Sequence, residues 1–184
     1  MLEVVKFTFN PFQENTYLLI AENGDCAIID PGCYERREEE ILKQTIEEKG
    51  LTPTLLLNTH CHIDHVFGND FIHRTFGLKP KIHPQEKIVL EAVSRVAEMY
   101  GLNYAKSPSP EFYKNEEIAL GGERLRIMCV PGHSPGHVAF HSESSKILIS
   151  GDVLFKQSIG RTDLPGGNME ELMRSIKKEI MPLP

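Results

Sequence analysis

Residues 55–69, LLLNTHCHIDHVFGN, begin with three leucines and then place three histidines and one aspartate within six positions. Imidazole nitrogens and carboxylate oxygens suit zinc, and they also suit iron or manganese better than a soft copper site. A structural zinc site usually closes four ligands around one ion, often with cysteine. The candidates in this chain include oxygen donors, and together with His133 and Asp152 later in the sequence they number more than four. The stretch therefore predicts a transition-metal site that includes His60, His62, Asp64 and His65.

The spacing of these residues indicates two neighbouring metal positions. His60 and His62 are two residues apart, so both imidazoles project to the same side of an extended backbone and can bind one ion. Asp64 and His65 follow where the chain turns into a helix, which directs a carboxylate and a third imidazole to an adjacent position. One tetrahedral ion could not fully share all four groups, so the sequence predicts two adjacent ions.

Two further candidates follow later apolar runs. His133 lies in CVPGHSPGH after RIMCV, and Asp152 lies in ISGD after KILIS. Because each lies where a strand should end, the loops at one edge of a pair of sheets can bring them towards the residues that follow TLLLN. An aspartate that lies between two ions can bridge them through one carboxylate.

Other polar residues support weaker predictions. Arg161 and Asp163 in GRTD lie on a glycine-rich loop, where a salt bridge within the loop is favoured over contact with a substrate. His137 comes four residues after His133 and is predicted to be a turn or strand-start residue, with support of the metal ligands as the alternative. Ordinary polar or half-buried positions are predicted for His73, His83 and His141.

The elements that must position these residues are strands and helices in alternating groups. The runs VVKFTF, TYLLIAE and CAIID, separated by turn-forming clusters, predict an antiparallel meander. Periodicity and end signals then predict helices over residues 34–49, 66–76 and 84–100, with strands at TLLLN and KPKIH and a loop over residues 103–115. The second half predicts strands at EEIAL, ERLRIMCV, HVAFHS and KILIS, followed by a helix near Asn168, whose side chain can cap it.

This order of elements predicts a layered α/β fold. Two facing sheets with helices packed outside account for it, although other α+β arrangements fit the same spacing. The length of 184 residues suits one domain over residues 1–184, with a helix-loop insertion near residues 84–114.

Composition and charge exclude several classes of function. The net charge of -6 and the pI near 5.8 argue against a surface that neutralises phosphates, so nucleic acid is not an expected partner. The N-terminal MLEVVKFTFNPF has no long apolar run, so neither a secretory signal nor a membrane span is expected, and we predict a cytoplasmic protein.

The chain has four scattered cysteines, Cys26, Cys33, Cys61 and Cys129. They are predicted to be buried thiols, and the Cys61 side chain is predicted to point away from the ions.

These motifs resemble those of a known family. HCHIDH matches the HxHxDH signature of the metallo-β-lactamase fold superfamily, and PGHSPGH, SGDVLF and SIGRTDLPGGN resemble its glyoxalase II-like (hydroxyacylglutathione hydrolase-like) branch. The resemblance runs from about residue 12 to residue 184. It implies a four-layer αββα sandwich and one or two ions, with zinc as the expected metal. The implied ligands are His60, His62 and His133 at the first site, Asp64 and His65 at the second, and Asp152 as the bridge.

The resemblance also implies a reaction. Ions that share an oxygen lower the pKa of bound water towards neutrality, and the resulting hydroxide attacks a carbonyl carbon that an ion polarises. Glyoxalase II-like enzymes hydrolyse a 2-hydroxyacyl thioester of glutathione, so the expected function is metal-dependent hydrolysis of a small-molecule thioester. We also assign Asp64 a catalytic role. A C-terminal helical domain that binds part of the glutathione is expected to be missing here, which leaves the identity of the substrate open.

Two alternatives remain at the level of sequence. Persulfide dioxygenases share the fold and a GRTD-like loop but use one iron, which His60, His133 and Asp152 would bind in this chain. The other alternative is a metal-binding protein that has lost its activity.

Two segments carry further expectations. Residues 84–114 can form a helix and a loop over the mouth of the active site, so we expect them to border the pocket.

The sequence ends at MPLP, an extended X-Pro run. Relatives of the glyoxalase II-like branch instead continue into a strand and a PGHG-type loop that carries a last histidine ligand. We therefore expect a C-terminally truncated chain whose second ion is absent or is bound weakly by Asp64, His65 and Asp152.

Overall fold

Apolar segments from the first part of the chain build a six-stranded sheet. The computed structural model describes residues 1–184. Its first sheet contains β1 (Glu3–Phe9), β2 (Glu14–Ile20), β3 (Asp25–Ile29), β4 (Thr52–Leu57), β5 (Pro80–Ile82) and β6 (Glu111–Phe112), in that order. The first three strands pair antiparallel, which confirms the predicted meander, and β3 to β6 pair in parallel.

The second sheet comes from the second half of the chain and is antiparallel throughout. Its strands are β7 (Glu117–Leu120), β8 (Glu123–Cys129), β9 (Val138–Ser142) and β10 (Ile147–Ile149), and they lie in the order β10-β9-β8-β7. These are the four strands predicted for this part of the sequence. A short hairpin of β11 (Leu154–Phe155) and β12 (Ser158–Ile159) follows.

Helices connect and cover the strands. They are α1 (Arg36–Glu48), α2 (Ile63–Val66), α3 (Asn69–Phe76), α4 (Lys87–Tyr100) and α5 (Met169–Ser175), with a 3₁₀ turn at Pro84–Glu86 and a π-helical turn at Ile176–Ile180. Asn168 caps α5 as predicted, because its side chain accepts a hydrogen bond from the N–H of Glu171 at 3.0 Å. No helix of the structure has both the length and the hydropathy of a membrane span.

Apolar clusters arrange these elements in four layers. The cluster between the two sheets contains Leu19, Leu57 and Phe140, each at most 1% exposed. A second cluster joins the outer face of the first sheet to α1 and α3, and another joins the outer face of the second sheet to α5. The predicted αββα sandwich is therefore confirmed.

The structure departs from the sequence predictions in three places. The helix predicted from about residue 66 to residue 76 is present as α3 but begins only at Asn69, because the chain breaks after α2 at Gly68, whose N–H donates to the Pro31 carbonyl at 2.7 Å. The loop predicted over residues 103–115 includes β6, which pairs with β5. Cys129 is exposed at the end of β8, whereas the other three cysteines are buried as predicted.

The ends of three strands bring the candidate ligands to one edge of the sandwich. The loops after β4, β8 and β10 carry the HCHIDH, PGHSPGH and SGD motifs respectively. Backbone hydrogen bonds join these segments, since the N–H of Val138 donates to the Thr59 carbonyl at 2.8 Å and the N–H of Val130 donates to the His137 carbonyl at 2.9 Å. The two sheets therefore hold the ligand loops against each other.

We predict that Gly132→Ala destabilises the protein far more than Gly122→Ala. Both glycines have positive φ angles, +132° and +87°, so alanine is strained at either position. A Cβ at Gly132 would also lie 2.2 Å from the backbone nitrogen of Leu172 in α5, whereas Gly122 faces open space. This clash should lower the free energy of unfolding by about 1–3 kcal/mol more than in Gly122→Ala. Urea denaturation measures the difference, and equal losses in the two variants would refute the steric explanation.

Candidate metal centre

Three histidines from two loops form the first donor set. The ligand nitrogens of His60, His62 and His133 all lie within 4.8 Å of one another. His62 Nδ1 lies 2.8 Å from His133 Nε2. His60 and His62 follow β4, and His62 keeps extended backbone angles of φ −64° and ψ 152° just before α2. The structure thus brings together the three nitrogen donors that the sequence assigns to a first metal site.

Hydrogen bonds determine which nitrogen is unprotonated in two of these rings. His133 Nδ1 lies 2.7 Å from the Arg161 carbonyl and must donate to it, which leaves Nε2 unprotonated. The Thr59 hydroxyl donates to Asp30 Oδ2 at 2.6 Å, so it accepts a hydrogen bond from His60 Nδ1 at 3.1 Å. His60 Nε2 is then a buried, unprotonated nitrogen without a hydrogen-bond partner. Such a lone pair fits a metal ligand.

Asp64, His65 and Asp152 form the second donor set, again with ligand atoms within 4.8 Å of one another. Asp64 and His65 lie in α2, and Asp152 follows β10. His65 Nε2 lies 3.6 Å from Asp64 Oδ2 and 3.3 Å from Asp152 Oδ1. The other oxygen of Asp152, Oδ2, lies 3.6 Å from His133 Nε2. The Asp152 carboxylate therefore lies between the two donor sets, where a bridging ligand is expected.

Asp30 and Glu14 are buried carboxylates near the donor sets that sequence reasoning missed. Asp30 can form a third donor set with His60 and His65, and its Oδ2 lies 3.1 Å from His65 Nδ1. However, its two oxygens accept hydrogen bonds from the N–H and the hydroxyl of Thr59, so it is better placed to orient the loop. Glu14 Oε1 lies 3.7 Å from the same His65 nitrogen. Asp30 ends the apolar run CAII, and that strand-end pattern could have identified it.

Burial keeps most of the imidazoles neutral. It lowers the pKa of His62 to about 3, and the neighbouring imidazoles of His133 and His65 act in the same direction. Burial also lowers the pKa values of His60, His133 and His137. Neutral imidazole is the form that binds metal, so these rings need not lose a proton at neutral pH before they coordinate an ion.

His65 lies in the opposite electrostatic environment. Burial lowers its pKa, but the carboxylates of Asp152, Asp64 and Asp30 outweigh this effect and raise the pKa well above its usual value. Burial also raises the pKa of Asp64. For Asp152, burial opposes ionisation, yet His65 and His133 hold the pKa below its usual value. Because carboxylates surround the ring, a positive ion in the second donor set would be stabilised.

His137 and the GRTD loop support the ligands from outside. His137 directly precedes β9, as predicted, and it also contacts the ligands, since its ring stacks on His60 at a centroid distance of 4.6 Å. Its Nε2 accepts a hydrogen bond from the N–H of Asp152 at 3.1 Å.

Arg161 and Asp163 form the predicted salt bridge through two contacts of 2.7 Å. Half-buried positions outside the donor sets are occupied, as predicted, by His73, His83 and His141.

Glu86 connects the two loops that carry the first donor set. It is 0% exposed and ends the 3₁₀ turn before α4. Its Oε2 accepts a hydrogen bond from the N–H of Cys61 at 2.8 Å, and its Oε1 accepts from the N–H of Gly136 at 2.7 Å and from the hydroxyl of Ser134 at 2.5 Å. Cys61 separates two histidine ligands and Ser134 follows the third, so one carboxylate restrains the backbone on both sides. No local motif in the sequence indicates this role.

A cavity of about 400 Å³ opens beside the donor sets. Candidate ligands from both sets form part of its wall, namely His62, Asp64, His133 and Asp152. Another part of the wall comes from α4, through Ile88, Val89, Ala92, Val93, Val96 and Tyr100. The helix of the segment 84–114 therefore borders the pocket, as expected from the sequence. The cavity gives a small molecule access to the candidate ligands.

Known proteins resemble this chain over most of its length. Residues 9–182 match the family model described as "Metallo-beta-lactamase superfamily". The "Probable metallo-hydrolase YqgX" of Bacillus subtilis (strain 168) is 37% identical over 177 residues, which cover 95% of this chain and 82% of that protein. The "Hydroxyacylglutathione hydrolase GloC" of Haemophilus influenzae is 36% identical over 186 residues, which cover 99% of this chain and 85% of that protein.

A solved structure shares the arrangement of layers. The structure described as "TTHA1623 in a di-iron-bound form" aligns with a TM-score of 0.86 and 36% sequence identity, and the alignment covers 98% of this chain and 87% of that one. The similarity in three dimensions therefore extends over both sheets and the loops that carry the two donor sets.

We predict that Glu86→Gln lowers the affinity of the protein for divalent zinc by about 10–100-fold. The amide nitrogen cannot accept a hydrogen bond, so at least one of the N–H groups of Cys61 and Gly136 loses its buried acceptor. Glu91→Gln is the matched control, because the Glu91 side chain is 66% exposed on α4 and should leave the affinity unchanged. Calorimetric titration of both metal-free variants provides the measurement. Equal affinities would show that the loops keep their geometry without this carboxylate.

Proposed function

Because this chain belongs to the metallo-beta-lactamase superfamily, we propose that it is a metal-dependent hydrolase of thioesters, similar to glyoxalase II. The observation that carries the proposal is the pair of donor sets, with the Asp152 carboxylate between them, at the wall of a cavity. The relative named hydroxyacylglutathione hydrolase supports thioesters as the substrate class. The expected substrate is a small molecule whose thioester carbonyl reaches the donor sets.

The two donor sets fit transition-metal ions, and we propose that the first binds one ion tightly while the second binds an ion weakly or not at all. The unpartnered Nε2 of His60 and the carboxylates around His65 are the features that favour a cation here. Zinc suits these nitrogen and oxygen donors, with iron or manganese as alternatives, and the di-iron-bound neighbour supports a transition metal. When bound, the ions would supply Lewis acidity that polarises a carbonyl and lowers the pKa of water.

Residues of the chain prepare the substrate and the water for this reaction. His62 and His133 line the cavity and limit where a carbonyl can approach. Asp64 also lines it and belongs to the second donor set, so we assign it the catalytic role of accepting a proton from water at a carboxylate oxygen. The leaving thiolate needs no acid group of its own, because a thiol pKa of about 8.5 makes the anion accessible near neutral pH.

The two alternatives raised by the sequence account for less of the structure. A mono-iron persulfide dioxygenase would use one site formed by His60, His133 and Asp152, whereas the donors fall into two adjacent sets. A metal-binding protein without activity has no need of a cavity that reaches those donors. We therefore favour hydrolysis.

We also propose that the protein acts in the cytoplasm and does not bind nucleic acid. All four cysteines are free thiols, and Cys26, Cys33 and Cys61 pack among apolar side chains, which suits a reducing compartment. The net charge of -6 disfavours binding to a phosphate backbone. Cell fractionation with an antibody against the protein tests the location.

We predict that the zinc-loaded protein hydrolyses thioesters and that His60→Ala abolishes this activity. Removal of a ligand nitrogen should lower both metal affinity and kcat/KM by more than the roughly hundredfold loss expected for a supporting residue. His141→Ala is the matched control, since His141 lies on β9 outside the donor sets and should retain metal and activity. Elemental analysis and thiol release from a panel of thioesters provide the measurements.

Each alternative has its own outcome in this experiment. One iron per chain together with oxygen uptake on a persulfide would support the dioxygenase. Full metal content without turnover of any substrate would support the inactive metal-binding protein. Unchanged metal content and activity in His60→Ala would overturn the assignment of the first donor set.

A further inference from the structure

We infer that the cavity beside the donor sets binds the acyl chain of the substrate and that this chain is apolar and uncharged. The inference rests on the proposed thioester hydrolysis and specifies its substrate class, thioesters of hydrocarbon acids. If each carbon is allotted roughly the 30 Å³ that a water molecule occupies in the liquid, a six-carbon chain takes up about 180 Å³, which is less than half of the cavity of about 400 Å³.

One face of α4 supplies an apolar wall. Ile88, Ala92, Val96 and Tyr100 are spaced four residues apart, so they lie along one side of the helix, and all four line the cavity. Val93 continues this wall and is only 2% exposed. Ile88 and Tyr100 are 71% and 60% exposed. Large apolar side chains left exposed around a cavity indicate a surface that binds an apolar group.

The rest of the wall offers little to a charged substituent. Phe12, Leu164 and Pro165 add apolar surface, and Arg161 is the only lysine or arginine that lines the cavity. The Arg161 guanidinium already donates two hydrogen bonds of 2.7 Å to Asp163. None of the α4 residues that line the cavity is charged, so a charged group held against this helix would lose its water without gaining a partner there, which costs free energy.

The acyl half of a thioester matches this wall better than the thiol half. Glutathione carries carboxylates and an ammonium group, and other biological thiol carriers are rich in amides, whereas an acyl group can consist entirely of hydrocarbon. Because His62 and Asp152 line the same cavity as α4, a carbonyl held at the donor sets can place its chain against the helix. The thiol half then extends from the donor sets towards solvent.

The α4 wall is attached to the donor loops at one end and contacts the turn between β1 and β2 at the other. Glu86, directly before the helix, accepts hydrogen bonds from the N–H groups of Cys61 and Gly136 at 2.8 and 2.7 Å. At the end of the helix, the Tyr100 ring meets the Phe12 ring edge to face at a centroid distance of 6.4 Å. Because the wall is fixed relative to the reacting carbonyl, it can discriminate between acyl chains by length.

The first test measures kcat/KM of the zinc-loaded protein on acetyl, butanoyl and hexanoyl thioesters of one uncharged thiol, N-acetylcysteamine. We expect kcat/KM to rise about fourfold with each added methylene, which corresponds to burial of about 0.8 kcal/mol per group. A 2-hydroxypropanoyl thioester of glutathione should react more slowly than the hexanoyl thioester. Equal values across the series, or preference for the glutathione thioester, would overturn the inference.

Ala92→Phe and Ser94→Phe form a matched pair of variants on α4. Ala92 lines the cavity, whereas Ser94 is exposed and does not. The phenyl ring at position 92 should fill space for the chain and lower kcat/KM for the hexanoyl thioester by about tenfold or more, with little change for the acetyl thioester. Ser94→Phe should leave both values unchanged. Circular dichroism checks that both variants fold, and Ala92→Leu replaces Ala92→Phe if the larger ring prevents folding.

A binding measurement separates failure of this inference from failure of the proposed function. The probes are amide analogues of the acetyl and hexanoyl thioesters, in which nitrogen replaces the thioester sulfur and slows hydrolysis. If the protein hydrolyses no thioester, yet binds the hexanoyl amide more tightly than the acetyl amide and loses this preference in Ala92→Phe, the proposed function fails and the cavity is still assigned as a site for an apolar chain. Equal binding of the two amides to the wild-type protein refutes the inference whatever the activity.

Discussion

The burial of imidazoles beside carboxylates at one edge of the sandwich is the constraint on which the rest of the structure depends. His60, His65 and His137 are at most 3% exposed, and Asp30 and Glu14 are buried next to them. Polar and charged groups cost free energy in such a position unless they are paired, hydrogen-bonded or bound to a metal. Four of these buried atoms have no hydrogen-bond partner, namely Glu14 Oε1, His60 Nε2, His65 Nδ1 and His137 Nδ1. The unprotonated His60 Nε2 is the one whose lone pair fits a metal ligand.

Supporting residues convert this constraint into a defined geometry. Asp30 accepts two hydrogen bonds from Thr59, and the Thr59 hydroxyl in turn orients the His60 ring. Glu86 acts on the backbone instead, since it binds the loops after β4 and β8 at once. Residues of this kind belong to neither donor set, yet they limit the orientations that the candidate ligands can adopt and so would favour one coordination geometry.

The same arrangement links chemistry to recognition of the substrate. In this metallo-beta-lactamase fold, α4 begins directly after Glu86 beside the donor loops and then runs along the cavity with Ala92 and Val96 in its wall. If the cavity binds an acyl chain as we propose, a change in the apolar face of this helix would alter which acyl chain is bound, while the donor sets stay as they are. Relatives with the same donor motifs could differ in substrate for this reason, because sites on one fold are modified locally.

By itself, the sequence determined the donor types, their local spacing and the layered order of strands and helices. HCHIDH after an apolar run places His60 and His62 on one side because side chains alternate along extended backbone, and the cap at Asn168 is equally local. Only the tertiary structure decided that Glu86 joins Cys61 and Gly136, which are 25 and 50 residues away from it in the chain. The break at Gly68, where the backbone approaches Pro31, was decided in the same way. Contacts between such distant residues depend on how sheets and loops pack, and no local periodicity records that packing.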